Sequence, residues 1–474
     1  MENNHSENST LDSRVFLSWT KKEYPSAPYN SQADTYKALV RLFEVWGLDK
    51  QNPFKDFVHE GQKALIKPNW VRDYNPLGFS IESLITHPSI ISHLMDFLAI
   101  AMYGKGTIII ADAPLQNSDF DKLTDAIGMK DIVKEFKKKH PDIECIVEDW
   151  RLTKLKRVSV TESFKNQSLQ VSKDNFGHEH VDTHVVVDAG AKSFLEEVSD
   201  YAKRFRVTNY KPSLMVRHHC PGKHEYLVTK RIFEVDFMIN VPKMKTHIKA
   251  GLTGAQKNLI GINGHKEYLP HHIKGPYFKG GDNYCMPNWF KERYEDVYDF
   301  YWEHFSALPM WKRKLVGLQL KMLWSMGRLT GRDTISAGSW RGNDTIWRTT
   351  LDLNHILYFS ERSPKKIINI IDGIVAGEAE GPLSPEPKAV GVLIGGENPA
   401  YVDAVMGKLM GYNIARIPTV HNAIYSRRSQ FAGPFMEDFS VIVADANGNK
   451  RVRFDDLPDL AFKKPRYWES AKRG

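Results

Sequence analysis

Long apolar runs are missing from this chain: no stretch approaches the roughly 18 residues that a membrane-spanning helix needs. Cysteine is nearly missing too. Cys145, Cys220 and Cys285 lie far apart and form no CxxC pair. That spacing speaks against a Cys-rich zinc or iron–sulfur site, and a chain of 474 residues does not rely on a disulfide framework. HEXXH is absent, and no GxSxG, Ser-x-x-Lys or dinucleotide-type GxGxxG occurs in the context that it requires. There is no dense basic stripe and no known nucleic-acid module, so nucleic acid is not expected as a partner. The N-terminal "MENNHSENSTLDSR" is polar and lacks the apolar core of a signal peptide. It reads as a frayed leader, and the protein as cytoplasmic.

What is present fits a folded globular chain, 42% hydrophobic and 26% charged. Lys and Arg exceed Asp and Glu by 65 − 57 = 8, a mild excess that suits a small anionic partner. Short Ile- and Val-rich runs read as buried strands: "ALIKPNW", "TIIIADAP", "HVVVDAG", "VDFMINVPK", "KIINIIDGIV" and "AVGVLIGG". Helical patterns such as "PSIISHLMDFLAIAMYG" and "PAYVDAVMGKLMG" alternate with them. The expected fold class is α/β, a mainly parallel sheet flanked by helices, with an aromatic-rich helical insertion. The expected segments are 1–60 for leader and first helix, 61–287 and 351–474 for the two parts of the core, and 288–350 for the insertion.

Several runs end on a charged residue beside Pro or Gly: Lys67, Asp112, Lys243 and Asp372. Ligands of open α/β sheets bind outside the carboxyl ends of the strands, which makes these residues site candidates. The stretch "NVPKMKTHIKAGLTGAQKN" follows an apolar strand and contains four lysines, one histidine and no acid. Lys243, Lys245 and His247 share one side of an extended chain. Gly251 and Gly254 leave backbone N–H groups accessible, and Lys257 and Asn258 enter a helix, together an anion cradle for phosphate or carboxylate. Neighbouring cations should keep His247 neutral near pH 7, as an acid or base.

These blocks carry a resemblance. "IKPNW", "IIIADAP", "DFMINVPKMKTH", "GLTGAQKNLIG", "IIDGIVAGEAEGP" and "NPAYVDAVMGKLMG" occur in an order similar to that of the family called domain of unknown function 362, from about Lys63 to Gly411. The resemblance implies an α/β domain and no settled chemistry. Many relatives resemble one another further in an added ferredoxin-like domain with iron–sulfur clusters. This chain lacks the cysteines for one, so no iron–sulfur cluster is expected.

"DGIVAGEAEGP" places Asp372, Glu378 and Glu380 among glycines, and Asp403 follows. With Asp112, Glu378 and Glu380 are candidate ligands of a divalent cation such as Mg²⁺. Alternatively these acids transfer protons or pair with the lysines. The candidate catalytic set is His247, Lys245, Asp372 and Glu378. The candidate substrate-binding set is Lys67, Asn69, Lys243, Thr246, Lys257, Asn258, His265, His271 and Arg341, the last from "WRGNDTIWRTTLDLNHIL". His265, His271 and His272 match no zinc spacing and read as a loop that clamps a polar substrate.

From Trp311 to Arg332 there are six basic residues and no acid. This helix reads as part of an insertion that covers the site or packs on the sheet, in preference to one resting on an anionic membrane. The expected function is an enzyme acting on a small phosphorylated or carboxylated molecule by metal-assisted or acid/base chemistry. The rival is a non-catalytic module that binds an anionic ligand or a membrane surface.

Overall fold

The computed structural model describes residues 11–156, 168–171, 182–208, 211–331, 333–434, 438–445 and 448–471. Most of the polar leader, residues 1–10, and Arg332 lie outside them. Eleven strands join one mixed, mostly parallel sheet. They are β1 (Val15–Trp19), β2 (Lys63–Pro68), β3 (Gly106–Asp112), β4 (Ile143–Asp149), β5 (Phe237–Val241), β6 (Lys243–His247), β7 (Gly251–Thr253), β8 (Lys366–Glu378), β9 (Glu386–Gly396), β10 (Ser440–Asp445) and β11 (Gly448–Arg453). The order is β11-β10-β1-β9-β8-β5-β2-β3-β4, with β6 between β7 and the far end of β8. The run β8-β5-β2-β3-β4 is parallel, whereas β9 is antiparallel to both of its neighbours. The α/β expectation therefore holds. Two expectations differ in detail. The first 60 residues include β1, a central strand, because Val15, Phe16 and Leu17 are all buried. "HVVVDAG" forms a strand of a separate three-stranded sheet.

The helices that matter for the site are α1 (Asp34–Trp46), α2 (Pro88–Ala101), α3 (Ala255–Asn258), α4 (Trp289–Glu303), α5 (Met310–Thr330), α6 (Ile346–Phe359) and α7 (Pro399–Leu409). Strand alternation divides the core. Ala64 and Ile66 of β2, with Ile108 and Ile110 of β3, pack toward α1 and α2, while Leu65 and Ile109 join a second cluster that contains α6. The insertion is narrower than its sequence suggests. Only α4 and α5 form a hairpin apart from the core, with a small cluster at Trp302 and Phe305. Leu351, Leu353 and Leu357 place α6 inside the core.

The glycine-rich turn before α3 is filled from within the chain. Asp403, on α7, accepts hydrogen bonds from the Ala255 and Gln256 N–H groups at 2.5 and 3.0 Å. The cradle foreseen at Gly254 thus holds the chain's own carboxylate, which caps the short helix. A Cβ at Gly254 would lie 2.0 Å from Asp403 Oδ1, and that carboxylate is held by two donors, one on each oxygen. We expect Gly254→Ala to lower stability in urea by about 1–3 kcal/mol through overpacking. Gly317→Ala meets nothing within 4 Å on exposed α5. It should stabilise by about 0.5–1 kcal/mol through helix propensity.

Candidate functional site

Cations and acids alternate at the carboxyl ends of the parallel strands, and most of them satisfy each other. Lys67 at the end of β2 reaches Asp112 at the end of β3 at 2.7 Å, both buried. Asp112 Oδ1 also accepts from the Ala113 N–H at 2.8 Å, and Oδ2 from the Trp70 N–H at 2.7 Å. Lys243 lies 3.1 Å from Asp372 of β8, both fully buried. Asp372 further accepts from the Tyr24 hydroxyl at 2.6 Å and the His87 N–H at 2.9 Å. Buried ion pairs of this kind depend on such extra hydrogen bonds to offset desolvation. Lys245 is buried as well and donates to the Leu84 carbonyl. Burial, and then Lys243, hold its pKa well below the ordinary lysine value.

Several sequence expectations are corrected here. Lys67, Lys243, Lys245 and Asp372 are enclosed and absent from the wall of the neighbouring cavity. Thr246 is buried and donates to the Ala379 carbonyl at 2.8 Å. Glu378 follows Gly377, which pairs with Lys245, so strand alternation turns the Glu378 side chain away from Lys245. It meets Lys388 at 3.2 Å and the Lys463 N–H at 3.0 Å. Glu380 accepts from the Arg466 N–H at 2.8 Å. Asp112, Glu378 and Glu380 therefore do not converge as metal ligands, and no group of three His, Cys, Asp or Glu among the described residues does. His265 is buried beside Glu267, away from the cavity, and Arg341 is exposed. The "WRGNDTIWRTTLDLNHIL" segment mainly builds α6, where Arg348 pairs with Glu197 and Asp344.

The cavity itself, ≈ 320 Å³, opens beyond the carboxyl ends of β2 and β3 and beside β6 and α3. That is the volume of a small-metabolite pocket. Of the candidate site residues, Asn69, Asp112, His247, Lys257, Asn258 and His271 line it. Lys249 and Lys266 also line it and were not among the expected site residues. Lys249 continues the lysine-rich stretch. Lys266 is followed by Glu267, which in sequence looks like its counter-ion, yet Glu267 is buried and accepts from the Lys211 N–H at 3.0 Å.

The side chains of Lys249, Lys257 and Lys266 are half-buried and make no hydrogen bond or ion pair among the described residues. Burial, and then Lys266 and Lys249, lower the Lys257 pKa to about 7. Burial lowers Lys249 and Lys266 to about 8 each. The floor beneath them is a chain of asparagine amides. Asn69 donates to Asn258 at 2.8 Å, Asn258 to Asn240 at 2.7 Å, and Asn240 to Asn369 at 2.8 Å. On the wall, the buried Asn69 Oδ1 and Thr253 Oγ1 have no hydrogen-bond partner among the described residues. Unpaired buried polar atoms are uncommon in folded chains, and two on one cavity wall beside three lysines call for an explanation.

The two histidines of the cavity differ in proton placement. His247 Nδ1 accepts from the Lys249 and Ala250 N–H groups at 3.0 and 3.1 Å. The neutral ring must then carry its proton on Nε2, as a donor. His271 Nδ1 stands 2.7 Å from the Leu269 carbonyl oxygen, which can only accept. Its proton is on Nδ1, and Nε2 is bare. Burial first, then Lys257 and Lys249 for His247, and Lys249 and Lys257 for His271, hold both rings well below pKa 6.5. Nε2 of His271, unlike that of His247, is therefore the ring nitrogen open to accept a proton.

A family model described as Domain of unknown function (DUF362) matches residues 157–408, just over half of the chain, and the chain belongs to that family. The matched span includes β5 through β9 and the cavity's lysines, whereas the "IKPNW" and "IIIADAP" blocks precede it. A crystal structure of a protein from Thermotoga maritima is similar at 10% identity and a TM-score of 0.33, covering 81% of this chain. This chain spans 60% of that one. No curated protein matches.

The lysine trio makes a stability prediction. A lysine whose folded pKa lies at about 7 binds fewer protons folded than unfolded, up to the ordinary value of 10.5. Its cost is fully present below about pH 7 and fades as pH rises toward 10.5. We expect Lys257→Met to raise the unfolding free energy measured in urea at about pH 6 by on the order of 1–2 kcal/mol. The gain should shrink toward about pH 10. A gain that does not vary with pH would mean that Lys257 titrates normally.

Proposed function

We propose that this DUF362 chain is an enzyme that binds a small phosphorylated or carboxylated molecule through Lys249, Lys257 and Lys266 and moves a proton on it with His271. The observation that carries this reading is the set of three lysines around one cavity that form no ion pair among the described residues, Asp112 on the same wall being taken by Lys67. Their mutual repulsion is relieved when an anion enters, so the ligand supplies the missing charge. His247 Nε2–H donates to the anion or to a developing oxyanion. His271 Nε2 accepts the proton, since its ring stays neutral at pH 7 and its orientation is fixed by the Leu269 carbonyl. The acids at the strand ends act through structure, because their oxygens are already engaged. Acid/base chemistry is favoured over metal-assisted chemistry by that engagement.

Two measurements test the reading. Titration of inorganic diphosphate near pH 8 should show proton uptake, about one proton or more per ligand, as the lysine pKa values rise on binding. Calorimetry in buffers of different ionisation enthalpy reads this, and Lys257→Met should weaken binding by about tenfold or more. Binding without proton uptake would sink the lysine assignment. Separately, proton NMR in D₂O across phosphorylated and carboxylated metabolites should find one substrate C–H that exchanges only with enzyme present. His271→Asn keeps a donor for the Leu269 carbonyl but has no Nε2, and it should abolish the exchange while diphosphate still binds. Anion binding with no exchange in any candidate would favour the rival, a binding module.

A further inference from the structure

Helix α5 is apolar on two faces, and only one of them is packed. Leu323 and Gly327 are buried against α4. Trp311, Leu315, Leu318, Met322 and Leu329 recur at spacings of three, four and seven, which puts them on one other face. They are exposed by 60, 59, 66, 59 and 80%. Large side chains this open, aligned along a helix of 21 residues and about 30 Å, are unusual on a water-facing surface.

Charge borders the stripe. Lys314, Lys321 and Arg328 follow one another at seven-residue intervals along one flank, and Lys312 lies on the other. Helix α5 contains no acid. Lys312, Lys314 and Arg328 have no carboxylate partner among the described residues. The acids of α4 do not serve them: Asp299 pairs with Arg206 and Lys274, and Glu295 accepts from Asn283 and Tyr284.

We infer that α5 lies flat on an anionic lipid bilayer, its stripe in the headgroup–acyl boundary and its flanking cations among the headgroup phosphates. An interfacial helix combines these features: an apolar face with tryptophan, a cationic border and lysine stems long enough to reach upward. A second copy of the chain fits less well. In a self-paired seam Lys314 and Arg328 would face Gln319 and Met326, or the same cations, and neither position supplies an acid. Bilayer phosphates supply that charge. The hairpin also bears on the candidate site. Trp324 and Arg328 line a second cavity, which shares Val207 and Thr208 with the lysine-lined one.

Vesicle co-sedimentation of the full chain tests this inference. Binding is expected to phosphatidylcholine vesicles containing phosphatidylglycerol, to fall with salt, and to be near background on phosphatidylcholine alone. The double variants L315E/L318E and K314E/K321E should each weaken it about tenfold or more. All four positions are exposed, so the thermal midpoint should stay within a degree or two of the parent, roughly. Absence of phosphatidylglycerol-dependent binding, or binding that both variants retain, overturns the inference. So does a concentration-dependent dimer in sedimentation velocity that L315E/L318E dissolves, since the stripe then pairs with itself.

Discussion

The architecture of the site depends on two buried ion pairs, Lys67–Asp112 and Lys243–Asp372. Lys67–Asp112 joins β2 and β3 at their carboxyl ends, and Lys243–Asp372 joins the first residue of β6 to the middle of β8. Enclosing two charges costs several kcal/mol per ion, and loss of one partner leaves an uncompensated charge, with a cost of about 3–5 kcal/mol. The pairs persist because each carboxylate has further donors. Asp112 holds the Trp70 and Ala113 N–H groups, and Asp372 holds the His87 N–H and the Tyr24 hydroxyl. The acids therefore fix the loops after β2 and β3 and the entry to α2 as well as neutralising the lysines. Gly261 shows how closely the site is built on this base: a Cβ there would lie 2.2 Å from Asp112 Oδ1 and 2.8 Å from Lys67 Nζ. No other residue type lets the short turn after α3 settle onto the pair, and that turn brings Lys266 and His271 toward the cavity.

The sequence carries the placement of the charged residues better than their employment. Ile- and Val-rich runs mark the strand ends at Lys67 and Asp112, because burial of both sheet faces leaves a plain hydrophobic signal, whereas Lys243 opens a further strand and β8 runs on past Asp372. Whether a strand-end lysine meets an acid or a cavity depends on register between strands far apart in the chain. Lys243 meets Asp372 across 129 residues. The acidic loop misled for a related reason. Glu378 and Glu380 lie close in sequence to Asp372, but β8 continues through Glu378, and side chains on successive strand residues face opposite ways. The C-terminal segment at Lys463 and Arg466 then engages them. Proton placement on His247 and His271 has no sequence signal at all. It follows from whether Nδ1 meets an N–H group or a carbonyl, a matter of local backbone path. For the helical insertion, periodicity located α5, but only packing tells which of its two apolar faces is covered.

The strand ends thus divide the cations by depth. Those inside the sheet's edge, Lys67 and Lys243, are neutralised by acids from adjacent strands and serve the fold. Lys245 between them is held by burial in a low-pKa state and donates to a carbonyl. One layer further out, Lys249, Lys257 and Lys266 receive no acid, although an added Asp or Glu on the wall would stabilise the ligand-free chain. Repulsion among them is a cost that folding bears; on the proposed reading an entering anion relieves it, and the interaction that weakens the empty protein would strengthen the complex. The inner pairs make that arrangement affordable. Because they already hold the loops, the cavity keeps its shape without the outer cations being drawn into ion pairs of their own.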